Sequence, residues 1–211
     1  MRRLAFLFPL ALATAAPLAV AQEVPAGAYT VEKSHTSLTF RVDHLGFSKF
    51  TGRFTALEAD LRFDPRHLAA SSVEVRIDPR SIESDNAPEG FLAMLAGPQW
   101  LDAEQFPRIT FVSTSVKVTG EQTFQLEGKL TLHGVTRPMT LEARYNGGYA
   151  GHPMDPHARV GFSATGWFKR SDFGVTIGIP APGTTMGVGD EVQVTLESEW
   201  SGPPLATKSQ G

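Results

Sequence analysis

Hydrophobic and polar residues alternate with a period of two along most of the chain after Gln22. In segment 36–43, for example, Leu38, Phe40 and Val42 fall on one face and polar side chains fall on the other. Neighbouring side chains of a strand point to opposite faces of the sheet. The pattern therefore predicts strands with one buried and one hydrated face, as in antiparallel sheets.

Eight or nine such segments can be distinguished, and the links between several of them are short and turn-like. The predicted strands are 28–33, 36–44, 52–63, 72–78, 107–118, 123–132, 136–146, 158–169 and 190–200. Residues 120–122 and 133–135 indicate hairpin connections. One helical stretch is predicted at 89–96. No repeat and no linker divides the chain, so the sequence predicts a single domain over 22–200 and a flexible tail at 201–211.

A sheet of this many strands must close on itself or fold over to bury its apolar face, which gives a barrel or a sandwich. The long alternating strands 52–63 and 107–118 favour a barrel. Five phenylalanines fall on inward positions, and their rings suit the lining of an apolar tunnel as well as they suit a solid core. They are Phe40, Phe111, Phe124, Phe162 and Phe168.

The first 21 residues have the pattern of a signal peptide. Arg2 and Arg3 precede an apolar run over 4–13, and Ala19-Val20-Ala21 fits the Ala-x-Ala cleavage rule. The run is too short for a membrane-spanning helix. The sequence therefore predicts export, with cleavage before Gln22 and no stable membrane insertion.

Composition and motifs exclude several function classes. The chain has no cysteine, which excludes thiol redox chemistry and cysteine-ligated metals. Signal-peptide cleavage removes two of the 19 basic side chains and none of the 22 acidic ones. The mildly acidic remainder argues against a nucleic-acid partner. No nucleophile elbow, phosphate-binding glycine loop or His-Glu-x-x-His motif is present, and we predict no catalytic residue and no cofactor.

The histidines at two places in the chain each allow two interpretations. His152 and His157 flank Asp155, and together these side chains could ligate a metal ion, although the two prolines among them favour a solvated loop. We therefore predict no metal site. His44 shares the parity of Phe40, which points it inward, either as a buried structural histidine or as a ligand contact.

Six motifs in fixed order over 28–200 resemble those of the YceI-like family. They are Tyr29-x-Val31-Glu32-x-x-His35-Thr36-x-Leu38-x-Phe40-x-Val42-x-His44-x-Gly46, Val73-x-Val75-x-Ile77-Asp78-x-x-Ser81-Ile82, Trp100-Leu101-Asp102-x-Glu104-x-Phe106-Pro107-x-Ile109-x-Phe111, Leu130-Thr131-Leu132-His133-Gly134-Val135-Thr136-x-Pro138, Arg170-Ser171-Asp172-Phe173-Gly174 and Gly189-Asp190-Glu191-Val192. The resemblance implies an all-β, extended lipocalin-like antiparallel barrel of about eight strands with one short helical segment and an apolar tunnel. It also implies a periplasmic or secreted location and the binding of polyisoprenoid or related lipid chains.

The chain departs from the family between Ile82 and Pro107. Where the family often carries Arg-Asp-x-His-Leu, segment 86–95 is apolar and slightly acidic. This loss of a polar contact favours a neutral ligand, such as a quinone, an isoprenoid alcohol or a fatty-acyl derivative, over a pyrophosphate. The apolar run 91–95 is interpreted as a lid over the tunnel or as a plug that closes the barrel end.

The sequence thus predicts a non-enzymatic periplasmic carrier or sequestering protein for a long apolar ligand. The alternatives are an enzyme acting on a lipophilic substrate inside the barrel and a solid-core structural or stress barrel. The sequence leaves the oligomeric state open, and a homodimer is one of the states it allows. The predicted ligand-binding residues are Phe40, Val42, His44, Phe111, Leu126, Leu130, Leu141, Phe162 and Phe168.

Arg170 and Asp172, at the end of the strand 158–169, also allow two interpretations. Arg170 could contact a ligand head group at the barrel mouth, or the two side chains could fix the corner that follows the strand. We favour the structural role, because the apolar run 91–95 already indicates a neutral ligand.

Overall fold

The computed structural model describes residues 23–205. The predicted signal peptide at 1–21 lies outside the described residues, as does segment 206–211. All strands within the described part belong to one antiparallel sheet. They are β1 (Gly27–Val31), β2 (Ser37–His44), β3 (Ser48–Phe54), β4 (Leu57–Phe63), β5 (Ser72–Ile77), β6 (Ile82–Glu83), β7 (Ile109–Val118), β8 (Thr123–Leu132), β9 (Val135–Tyr149), β10 (His157–Lys169) and β11 (Val188–Pro204).

The sheet closes into a barrel through β1. This short strand pairs with β4, where Tyr29 faces Leu61, and with β11, where Val31 faces Trp200. The closed ring contains eight strands in the order β1, β4, β5, β7, β8, β9, β10 and β11. The predicted antiparallel barrel of about eight strands is therefore confirmed, and the sandwich alternative is wrong.

Strand β11 organises one side of the barrel. One of its edges pairs with β10 from Glu191 to Pro204. The other edge is divided, since residues 188–197 pair with β2 and residues 200–201 pair with β1. Strands β3 and β6 extend the sheet beyond β2, so that the wall continues next to the start of β11.

Period-two alternation decides which side chains enter the barrel. In β4, Leu57, Ala59, Leu61 and Phe63 are buried and every residue between them is exposed. Across the β8–β9 link, the chain reverses in two residues, His133 and Gly134, with φ of 51° and 71°. Two successive positive φ values give the type I′ turn whose twist suits a hairpin, and the hairpin predicted at 133–135 is confirmed.

The structure differs from the predicted elements mainly in four places. The predicted strand 52–63 is two strands, β3 and β4, because the chain bends at residues 55–56, where Thr55 N–H donates to Ser81 O. The predicted strand 136–146 continues as β9 through Tyr149. Strand β6 has two residues and no periodicity, so it was not predicted.

The fourth difference concerns residues 201–204 of the predicted flexible tail at 201–211. Residues 201–204 belong to β11, because Ser201 pairs with Thr30 and Pro204 pairs with His157. A proline is tolerated at a strand end, where its missing N–H breaks no essential ladder bond. Pairing across the barrel seam thus holds a segment whose composition suggested a loop.

The predicted helical stretch is confirmed as α1 (Phe91–Ala96), a six-residue helix between Gly90 and Gly97. A short 3-10 turn, Arg170–Phe173, follows β10. Within residues 23–205, no helix has the length and apolar character needed to cross a bilayer.

Candidate ligand-binding site

The barrel encloses a cavity of about 390 Å³ at the end where β10 finishes and β11 begins. This volume lies within the range of small-molecule binding sites, roughly 300–1,000 Å³. The lining residues are apolar or aromatic except for His44 and Arg170. The solid-core alternative is therefore wrong for this barrel.

Aromatic rings cover one wall of this main cavity. Phe40 on β2 lies 5.6 Å from Phe54 and 6.1 Å from Phe50 on β3, between ring centroids. Phe40 faces Gly52 across the strand pair. A Cβ on Gly52 would lie 2.5 Å from the Phe40 ring. The absence of a side chain at Gly52 thus allows the ring to lie flat on the wall instead of projecting into the cavity.

The helix α1 covers part of the cavity end. Phe91, Met94 and Leu95 line the cavity, and Leu95 is buried. The Phe91 ring packs edge-on against Phe50 at 5.7 Å between centroids. The cavity persists beneath the helix, so α1 covers the barrel end without filling it.

A second cavity of about 80 Å³ lies deeper in the barrel. Five residues line both cavities, and we call this belt the waist. The waist consists of Val75, Phe111, Leu141, Ala164 and Leu196. Beyond the waist, three phenylalanine rings line the smaller space and a tyrosine ring packs against two of them, with centroid separations of 5.4–6.1 Å for the contacting pairs. The lining rings are Phe63, Phe124 and Phe162, and the fourth ring is Tyr145.

Phe111 is the largest side chain of the waist, and its position is fixed by a glycine. A Cβ on Gly128 would lie 2.3 Å from the tip of the Phe111 ring. Gly128 is on β8, the strand that pairs with β7, and Phe111 is 6% exposed. A ring in this position separates the main cavity from the second one.

Arg170 borders the main cavity, but its guanidinium is already hydrogen-bonded to backbone carbonyls. Its Nε donates to Gly189 O at 2.8 Å, Nη1 to Val175 O at 3.0 Å and Nη2 to Val188 O at 2.7 Å. The guanidinium also lies over the Trp100 ring. Burial lowers the pKa of the Arg170 guanidinium below its usual value, partly offset by the charge of Asp190. These contacts support the predicted structural role.

The predicted pairing of Arg170 with Asp172 is wrong. Residues 170–173 form a 3-10 turn, so the two side chains do not share a strand face. Asp172 is exposed, and the corner is fixed by Asp190 instead. The Asp190 carboxylate accepts hydrogen bonds from Ser171 N–H and Ser171 Oγ at 2.9 and 2.8 Å.

His44 lies at the opening of the main cavity. It is exposed and pairs with Val188 at the start of β11. The alternative of a buried structural histidine is therefore wrong. No buried side-chain nitrogen or oxygen of residues 23–205 lacks a hydrogen-bond partner.

The structure places all nine predicted ligand-binding residues along the two cavities. Phe40, Val42, His44, Leu130 and Phe168 line the main cavity, Leu126 and Phe162 line the second, and Phe111 and Leu141 line both. That these residues bind a ligand stays a prediction.

Sequence reasoning missed part of the lining. Phe50 and Phe54 were not identified, although Phe50, Gly52 and Phe54 share one parity that would have indicated an inward face. Trp100 and Leu101 follow α1 in an irregular segment where no periodicity points to the cavity.

The loop that carries His152 and His157 has another arrangement. The Asp155 carboxylate accepts hydrogen bonds from Tyr149 Oη at 2.6 Å and Arg159 Nε at 3.1 Å, and these two contacts lower its pKa. His152 Nδ1 accepts from Met154 N–H. The described part of the chain contains no group of three or more side chains placed to hold a metal ion.

Comparison with known proteins identifies relatives of this barrel. A model of the YceI-like domain matches residues 29–200. A UPF0312 protein of Vibrio cholerae is 32% identical over 192 residues, covering 90% of this chain and 95% of the relative. A UPF0312 protein of Vibrio vulnificus is 35% identical over 196 residues, covering 92% and 97%.

Solved structures share the fold. BcnA of Burkholderia cenocepacia superposes with a TM-score of 0.69 at 25% identity, over 80% of this chain and 98% of BcnA. A domain of Saccharophagus degradans, described as polyisoprenoid binding, superposes with a TM-score of 0.60 at 14% identity, over 84% and 99%. At that identity, the second likeness shows the fold alone.

Proposed function

The chain belongs to the YceI-like family, and we propose that it is a non-enzymatic carrier or sequestering protein for one long apolar ligand. The single observation that carries this proposal is the cavity of about 390 Å³ with an almost wholly apolar lining. Such a space is costly to leave hydrated and is suited to a hydrocarbon chain.

The energetic argument for binding rests on burial of the chain. Each buried methylene contributes about 0.8 kcal/mol, so about ten of them yield roughly 8 kcal/mol before the cost of association. No polar anchor is needed for useful affinity. Cavity length and width would then decide which chain binds.

The ligand that we propose is neutral along its buried length, such as an isoprenoid alcohol, a quinone or a fatty-acyl derivative. Arg170 is the one cation among the described lining residues, apart from the titratable His44. Three of its nitrogens donate to backbone carbonyls. A charged head group would therefore have to compete with contacts that fix the corner after β10.

Binding fits the lining better than catalysis does. An enzyme acting inside the barrel would need a group that exchanges protons or attacks the substrate. Among the described lining residues the ionisable ones are Arg170, which is held by carbonyls, and His44, which lies at the opening. The fold of the polyisoprenoid-binding domain of Saccharophagus degradans is compatible with the same use.

The periplasm is the proposed location. The proposal rests on the signal-peptide pattern of residues 1–21. Detection of the cleaved chain in a periplasmic extract of the native host, with its amino terminus at Gln22, would support it. Retention of the uncleaved chain in the cytosol would contradict it.

The test of binding is mass spectrometry of organic extracts from the purified protein. We expect a co-purifying neutral lipid. The matched variants are Ala164→Phe, which adds a ring at the waist, and Thr165→Phe, which adds the same ring on the outer face of β10. The first should lose the lipid and the second should retain it. If the protein is consistently empty and takes up no added chain, the proposed function is wrong.

A further inference from the structure

Large exposed apolar side chains lie around the opening of the main cavity. Phe47 is 82% exposed, Met186 is 67% exposed and Met94 is 45% exposed. We call these three side chains the apolar rim. Their combined exposure is unusual, because a soluble protein rarely leaves clustered large apolar groups in water without a partner.

The three side chains belong to segments that meet at the same end of the barrel. His44, just before the Phe47 turn, and Val188, just after the Met186 loop, pair with each other and both line the cavity. The third segment is α1, whose Met94 lines the cavity directly. The rim therefore surrounds the opening through which a ligand would pass.

Backbone contacts hold Phe47 outward. Leu45 N–H donates to Gly187 O at 2.8 Å, which ties the β2–β3 turn to the Met186 loop. Leu45 and Gly46 have φ of 55° and 72°, and Phe47 N–H donates to His44 O at 3.0 Å, which closes a tight turn. A Cβ on Gly46 would lie 2.7 Å from Thr185 Oγ1, so the two segments touch. The exposed ring is thus part of an ordered turn.

The segments of the rim carry almost no charge. No charged residue occurs in 173–189 or in 90–101. Close to Phe47 in the sequence, the Nζ of Lys49 lies 3.2 Å from Oδ1 of Asp43, so these two opposite charges form an ion pair. A surface of this kind has no attraction for a charged partner, and it is compatible with the apolar boundary of a bilayer, where phenylalanine and similar side chains insert.

We infer that the apolar rim docks onto the surface of an uncharged or zwitterionic lipid bilayer, so that the ligand passes between membrane and cavity without crossing water. This inference rests on the proposed function. A bilayer fits better than a second copy or another protein, because protein interfaces bury roughly 800 Å² on each partner. The rim instead consists of three single side chains on a turn, a loop and the short helix α1, which suits shallow insertion.

The test uses phosphatidylcholine vesicles and a matched pair of variants. Phe47→Ser combined with Met186→Ser removes two rim side chains that do not line the cavity. Met154→Ser is the control, since Met154 is 90% exposed in the loop between β9 and β10, at the opposite end of the barrel. Melting curves verify that each variant is folded.

Two measurements follow, co-flotation with the vesicles and transfer of a pyrene-labelled fatty alcohol from vesicles to protein. We expect the double variant to lose at least fivefold in both, and the control to behave as the native protein. Saturation with the same fatty alcohol delivered from ethanol should be equal in all three proteins. Unchanged flotation and transfer in the double variant, or an equal loss in the control, would overturn the inference.

The outcomes separate this inference from the proposed function. A native protein that takes up no fatty alcohol from ethanol and yet floats through Phe47 would overturn the carrier and leave the docking surface in place. A protein that loads from ethanol but never floats would overturn the docking surface alone. Self-association that depends on Phe47 in gel filtration would assign the rim to a second copy and would also overturn the inference.

Discussion

The guanidinium carbon of Arg170 lies 5.3 Å from the centre of the Trp100 ring. This contact joins the corner after β10 to the segment that follows α1, and both border the main cavity. A cation over the face of a tryptophan ring is attracted by the electrons of the ring. The Arg170 side chain thus binds the backbone carbonyls of Val188 and Gly189 at the start of β11, and it also packs against Trp100 in the segment that follows α1.

Replacing Arg170 with alanine should therefore destabilise the fold. A fully buried carbonyl left without its donor costs about 1–3 kcal/mol; of the three carbonyls that Arg170 binds, the one in a fully buried bond is that of Val175, and the other two bonds are partly buried and cost less. We expect a loss of roughly 2–4 kcal/mol, which corresponds to a fall in melting temperature of about 5–15 °C for a domain of this size. Lipid content per folded molecule should change little. Arg170→Lys retains the charge but loses the planar guanidinium that reaches three carbonyls. Its melting temperature should therefore lie between those of the native protein and Arg170→Ala. A variant that melts normally but loses its lipid would identify Arg170 as a head-group contact instead.

Phe111 should determine how long a chain the barrel accepts. Phe111→Ala removes the ring that separates the two cavities, and the chain can then extend past the waist. Each further buried methylene contributes about 0.8 kcal/mol, or about fourfold in affinity. Displacement titrations with fatty alcohols of graded length should show the preferred length increasing by several carbons.

Two controls define this experiment. Phe111→Leu leaves a smaller opening and should shift the preference less, while Val112→Ala changes the exposed neighbour and should not shift it. Loss of a buried phenylalanine costs about 3–5 kcal/mol in stability, so binding is measured well below the melting transition. An unchanged length preference in a folded Phe111→Ala protein would show that the waist does not limit the ligand.

Hydrogen exchange can decide whether α1 is a lid or a plug. The helix has six residues, and just one of them is buried, Leu95. Such a segment opens easily unless contacts hold it. We expect the amides of residues 93–96 to exchange rapidly in the empty protein and to gain protection when a chain fills the cavity. High protection that is the same with and without ligand would make α1 a plug.

Tyr29 should make the fold sensitive to high pH. Burial, with a smaller contribution from Tyr145, raises the pKa of Tyr29 to about 12, while its hydroxyl donates to Pro25 O at 2.6 Å. An unfolded tyrosine loses its proton near pH 10. Between pH 10 and 12 the folded state therefore holds more protons than the unfolded state, and stability falls as pH rises.

The expected loss in the free energy of unfolding is about 2–3 kcal/mol by pH 12. Urea titrations at pH 9 and pH 12 measure it. Tyr29→Phe removes this ionisation and should show a shallower decline across the same range, although burial also raises the pKa of Tyr145. Equal slopes in the two proteins would show that the Tyr29 hydroxyl is not protected in the folded state.

Strands could be predicted from the sequence where buried and exposed positions alternate with a period of two. In β4, strict alternation from Leu57 to Phe63 specifies a strand and its inner face. In β6, Ile82 and Glu83 become a strand because Phe54 and Arg53 pair with them. That pairing is tertiary and leaves no local period. The bend at residues 55–56 is likewise made by a contact with Ser81.

The cavity itself could not be predicted from the inward residues. The rings of Phe40 and Phe111 would fill the barrel if they pointed to its axis. They lie on the wall because Gly52, directly opposite Phe40, and Gly128, two residues from the partner of Phe111 on β8, leave room for them. Which glycine lies beside which ring depends on register, and the register emerges only when the strands pair. Alternation therefore gave the inward face, and strand pairing decided between tunnel and solid core.

The divided edge of β11 has a consequence for how the barrel is made. Until this strand has left the ribosome, β1, β2 and β10 each lack a neighbour along one edge, and the wall has a gap. Pairing of β1 with β11 joins the two extremes of the described chain, a contact of long sequence separation that forms slowly. Closure of the barrel therefore waits for β11 and depends on two residue pairs, Thr30 with Ser201 and Val31 with Trp200. A nascent chain accordingly has no interior in which to trap the lipids of the cell that makes it.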